Sequence, residues 1–93
     1  MKHAREDYAP IQDPRGLIPE DEPVFLLRAR DVTAPAVVRY WAIKARAAGA
    51  MRNITESAER QVEAMIQWQH EHGIKIPDMP LVPLPPTDQQ CGG

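Results

Sequence analysis

The sequence predicts a mainly α fold: an antiparallel two-helix hairpin preceded by one short β-strand, with extended Pro-rich N- and C-terminal arms. Three observations carry that expectation. Apolar residues recur at spacings of three and four in two stretches, one ending at Gly49 and one at Gly73. A dense apolar run, Val24 to Asp31, precedes them. Most of the ten prolines lie outside residues 20–73, where they disfavour any regular helix. The expected division is an extended arm over 1–22, a strand-plus-hairpin core over 23–76 and a Pro-rich extended tail over 77–93.

The arm contains Pro10, Pro14, Pro19 and Pro23, with a turn at Pro14-Arg15-Gly16 and a small apolar anchor in Leu17 and Ile18. In the run at 24–31, alternation places Phe25, Leu27 and Ala29 on one face and Val24, Leu26, Arg28 and Arg30 on the other. A helical alternative exists, with Asp21 as N-cap and Pro23 in the first turn. The strand reading requires a partner, because a lone strand leaves its backbone groups unpaired. The candidates are the Ile74–Leu84 segment or the same strand of a second subunit.

Thr33-Ala34-Pro35 starts the first helix, since proline is tolerated only in the first turn. Its predicted stripe is 34, 38, 41, 45 and 48, with Val38 and Trp41 as the bulk and Ala42, Ala45, Ala47 and Ala48 permitting close approach. Gly49 suits the position after the helix that favours positive φ. The second helix is expected to start at an Asn53–Glu56 capping pair. Its stripe is Ile54, Ala58, Val62, Met65 and Gln69, widened by Ile66 and Trp68. Glu56 and Arg60 form a favourable (i, i+4) pair. Gly73 should end it, with Ile74 packing back. Beyond Lys75, five prolines in ten residues favour polyproline II, with Met79, Leu81, Val82 and Leu84 lying across an apolar groove of the same or a neighbouring subunit.

A chain of 93 residues has room for one domain, and its own core is marginal. Small cores are completed by disulfides, metal or association. Cys91 is the only cysteine, so an internal disulfide is excluded. One cysteine and a charged N-terminus without an apolar stretch lead to an expected cytoplasmic location. The net charge of -2 argues against general nucleic-acid binding. Its distribution is uneven: residues 24–52 carry six basic side chains and one acidic, whereas both flanks are acidic. Either the oppositely charged faces pair within or between subunits, or the basic middle forms an anion pocket.

No catalytic pattern emerges. His70 and His72 are two apart and point to different sides of a helix, unlike ligands spaced three or four apart. Cys91 lies in a polar, Gly-rich end with nothing to lower its pKa. Gly16, Gly49 and Gly73 are isolated and Ser57 is the sole serine, so neither a phosphate loop nor a nucleophile triad is present. The expectation is therefore no enzyme, no metal and no cofactor. The remaining constellation is Arg28, Arg30 and Asp31 with Arg39, Tyr40 and Trp41. Arginine offers a planar fork to phosphate or carboxylate, and aromatic rings offer a stacking surface. These residues are the candidate ligand-binding set. A bland alternative puts Trp41 in the core, pairs Asp31 with Arg28 or Arg30 and leaves Arg39 solvated. The same residue types also dominate protein interfaces.

The stretch EDEPVFLLRARDVTAPAVVRYWA, residues 20–42, resembles small bacteriophage and prophage accessory proteins. The resemblance lies in the D-E-P-V-F-L-L-R run, Asp31, Ala34-Pro35 and the Val-Arg-Tyr-Trp-Ala of the helix. It implies a short accessory gene product and transfers no functional residue. The expected function is a homo-oligomer that sequesters a small anionic, nucleotide-like ligand in the host bacterial cytoplasm, counter-defence being the role this would serve. The alternative is an inhibitor or adaptor that binds a host protein. No membrane association is expected.

Overall fold

The computed structural model describes residues 1–5 and 13–85. The expectations for Pro10, Pro86 and the 87–93 end, Cys91 included, fall outside them. The elements are β1 (Lys2–His3), β2 (Pro23–Val24), α1 (Ala34–Ala47) and α2 (Arg52–His72). The helices pack on each other as an antiparallel hairpin, and the two short strands form a parallel pair.

Asp31 rather than Thr33 organises the start of α1. Thr33 occupies the N-cap position but makes no side-chain cap. Its N–H and hydroxyl instead donate to Asp31 Oδ1, at 2.8 and 2.6 Å, and Ala34 N–H donates to Asp31 O. Such an Asx-type turn prepares the first helical turn locally. Pro35 follows where its missing N–H is harmless. At the other end Gly49 N–H donates to Arg46 O and Ala50 N–H to Ala45 O, a Schellman arrangement with Gly49 at φ 100°. The start of α2 differs from expectation. Its N-cap is Met51, with extended φ/ψ and no side-chain cap, and Asn53 lies inside the helix. Glu56 pairs with Arg52 at 3.6 Å, and Arg60 donates to Ser57 Oγ. An apolar residue at the N-cap leaves its carbonyl to accept from Ile54 and Thr55, while Thr55 Oγ1 turns back to Arg52 O.

The core is a seam between the helices. Ala34, Ala42, Ala58, Val62 and Met65 are its buried apolar residues, joined by buried Thr55 and Gln69. On α2 the predicted stripe holds, except that Thr55 takes the place of Ile54. On α1 the seam runs through 34, 38, 42 and 45, so Trp41 and Ala48 fall outside it. Trp41 remains 51% exposed. The reason is steric. A seam lined by alanines lets helix backbones approach closely, and one partner helix cannot also enclose an indole a hundred degrees round the cylinder.

The expected strand over 24–31 shortens to Pro23–Val24. The Pro23–Val24 strand pairs with β1, in the register Lys2↔Pro23 and His3↔Val24, whereas the far end of the run meets the C-terminal segment, one of the two expected partners, at Lys75. Phe25, expected to share a face with Leu27 and Ala29, is 73% exposed, while those two are half-buried. The rest of the run is satisfied in another way. Gln69 Nε2, on α2, donates to Ala29 O at 2.8 Å and Asp31 O at 3.1 Å. Lys75 N–H donates to Arg30 O, and Val32 N–H to Lys75 O. A side-chain amide and one bridge at Asp31↔Lys75 thus do the work of a neighbouring strand. The segment after α2 folds back, with Ile74 and Val82 exchanging both backbone bonds at 2.6 and 2.8 Å. Among the described residues, no helix is long and apolar enough to cross a membrane.

Candidate functional site

Antiparallel packing brings the start of α1 and the end of α2 to one end of the hairpin. Three segments meet there: residues 4–5 after β1, the 25–31 connection, and residues 75–78 after α2. Between them lies a cleft of about 200 Å³, lined by Ala4, Arg5, Phe25, Leu26, Arg28, Arg30, Asp31, Lys75, Pro77 and Asp78. Backbone bonds fix its walls, because Lys75 N–H holds Arg30 O and Gln69 holds the carbonyls on either side.

Four cationic side chains and two carboxylates face this space, so its lining is net positive. Both carboxylates are engaged. Asp31 Oδ1 accepts from Thr33, and Asp78 Oδ1 accepts from Arg5 at 3.5 Å. Among the described residues, no ion pair reaches Arg28, Arg30 or Lys75. The Arg30 guanidinium lies 5.3 Å from the centroid of Trp68, and Trp68 stacks on His72 at 4.3 Å. A guanidinium on an indole face is held in orientation while its N–H edges stay available to an acceptor. Phe25 and Leu26 supply an apolar wall.

The candidate set divides. Arg28, Arg30 and Asp31 line the cleft together. Asp31 serves Thr33 rather than either arginine. Arg39, Tyr40 and Trp41 lie on α1, exposed and outside the cleft lining. The bland placement of Trp41 in the core does not hold either. Sequence reasoning missed Lys75, Arg5, Phe25 and Asp78. A signal for Lys75 was present: in an antiparallel hairpin the residues just after Gly73 must return beside those just before Ala34. His72 Nδ1 lies 3.1 Å from Trp68 O and its ring stacks on Trp68.

No family model matches the chain, no curated protein matches it, and no solved structure matches it.

Proposed function

We propose that this protein binds a small phosphate- or carboxylate-bearing ligand in the cleft, and does so without turning it over. The observation that carries this reading is the convergence of Arg28, Arg30 and Lys75, none of them ion-paired among the described residues, on one cleft with an aromatic wall. Unmatched cations in a concave, partly apolar site attract an anion and exclude part of its competing water. Ligand pockets usually span about 300–1,000 Å³. A cleft of about 200 Å³ suits the anionic group and part of its scaffold, the remainder lying along exposed Phe25. Both cleft carboxylates already accept hydrogen bonds, which supports binding over acid–base chemistry. In an accessory protein of the phage type, working in the bacterial cytoplasm, such a site would sequester a nucleotide-like ligand.

Calorimetry with inorganic phosphate, a dicarboxylate and a set of nucleoside monophosphates tests the reading. At least one should bind, and Arg28→Ala and Lys75→Ala should each weaken it by about tenfold, the scale of one charge-assisted hydrogen bond. Added salt should weaken it too. Absence of heat with every probe would remove the proposal, as would affinity indifferent to both substitutions.

A further inference from the structure

The outer surface of α1 is unusual for a helix with only one partner. Of its fourteen residues only Arg39, Lys44 and Arg46 are charged. Val37, Tyr40, Trp41 and Ile43 are all exposed, and Tyr40 and Ile43 lie diametrically opposite the packed seam. A helix that is apolar on nearly every side belongs between two layers. The chain supplies one. Among the described residues the buried apolar side chains are three alanines, Pro35, Val62 and Met65, while bulkier ones stay outside. Contiguous exposed apolar surface of this kind marks association.

Charge indicates what covers it. Arg46 already pairs with Glu59 across the hairpin at 2.9 Å. Arg39 and Lys44, which flank Tyr40 and Ile43 on the outer surface, make no ion pair among the described residues. Elsewhere in the chain, Glu20, Asp21 and Glu22 form an exposed acidic run that also makes none, preceded by Leu17 at 71% exposure. One surface is apolar and basic, the other acidic with exposed Leu17 beside it, and among the described residues neither makes a side-chain ion pair. We infer that residues 17–22 of a second copy of this chain cover the outer face of α1. A two-fold arrangement uses the complementary pair twice and leaves neither surface over. This contact is independent of the cleft, since neither Lys44 nor Glu20 lines it.

Light scattering across a dilution series, on the full chain, reads the contact directly. The expected mass is twice 10.5 kDa at high concentration, falling towards 10.5 kDa on dilution. The pair Arg39→Glu with Lys44→Glu should raise the dissociation constant by about tenfold or more, because like charges then face each other. The triple change Glu20→Lys, Asp21→Lys and Glu22→Lys should do the same. Combining all five should restore the dimer. All five side chains are exposed, and circular dichroism checks that helix content is unchanged. A monomer at every concentration would overturn the inference. So would five-fold charge-swapped protein that stays monomeric, a dimer indifferent to either set of reversals, or a wild-type monomer that floats with vesicles of anionic lipid.

Discussion

Replacing Gly73 by alanine tests how the segment after α2 is held. Gly73 closes α2 with its N–H on Gln69 O and has φ 103° and ψ -177°, a region that essentially only glycine occupies. Placing a side chain there costs about 1–3 kcal/mol in backbone strain. The new Cβ also has nowhere to go. It would meet the Val82 carbonyl oxygen well inside contact distance and the Val82 carbonyl carbon at 3.0 Å. Backbone cannot swing aside as a flexible side chain does. The cheapest relief is to peel Val82 away from Ile74. That loses two backbone hydrogen bonds, at about 0.5–1.5 kcal/mol each. Together the two costs come to about 2–6 kcal/mol. A domain of this length is worth about 5–14 kcal/mol in all, and its thin core places it low in that range.

Gly49 supplies the control. Its φ of 100° is equally left-handed, but nothing lies within 4 Å of an added Cβ. Gly49→Ala should therefore cost only the conformational part, about 1 kcal/mol. Urea unfolding followed by circular dichroism measures both variants. Hydrogen exchange at the Ile74 and Val82 amides then separates local peeling from global loss, and both amides should lose protection in Gly73→Ala alone. If Gly73→Ala costs no more than Gly49→Ala, and Val82 stays protected, the close approach is not what requires glycine at position 73.

Gln69→Leu keeps a similar volume but takes the amide away from Ala29 O, while Asp31 O keeps the Ala34 N–H, so urea unfolding should show a loss of about 1–3 kcal/mol; a loss below about 0.5 kcal/mol would mean that water replaces the amide without penalty. Among the described residues His3 has both ring nitrogens shielded and unpartnered, so His3→Leu should stabilise the chain by about 1 kcal/mol, and a destabilised variant would show that the ring is satisfied after all. The Arg46–Glu59 pair is more than half exposed, so a double-mutant cycle should find a coupling under about 0.5 kcal/mol; coupling well above 1 kcal/mol would contradict solvent screening at this site.

Periodicity made both helices legible, including the stop at Gly49 and the stripe through Ala58, Val62, Met65 and Gln69. It placed the α1 seam one position off because bulk was given more weight than fit. Trp41 and Ala42 are neighbours in sequence, and either could continue a stripe from Ala34 and Val38. Close packing selected the alanine. The run at 24–31 failed as a strand for a different reason. Its apolar alternation suits a sheet, yet its inner carbonyls found Gln69, a residue forty positions away. Composition within the run contains no trace of that donor. The cap of α2 was misread because an Asn-x-x-Glu pattern also arises one position inside a helix, where it caps nothing.

The cleft was half legible, and the division follows chain connectivity. Arg28, Arg30 and Asp31 are contiguous with the α1 start and could be grouped by eye. Lys75 joins them only through topology, and Arg39, Tyr40 and Trp41 turn away because a helix distributes consecutive residues around its axis. One side chain ties site and fold together. Gln69 lies on the packed face of α2, so any shift of the hairpin moves the amide that fixes the carbonyls on both sides of Arg30. The cationic lining is therefore preorganised by helix packing rather than by a sheet, and binding should be sensitive to residues that never touch the ligand. Gln69→Leu, which does not line the cleft, should loosen the spacing of Arg28 and Arg30 and weaken anion binding even under conditions where the helices remain folded.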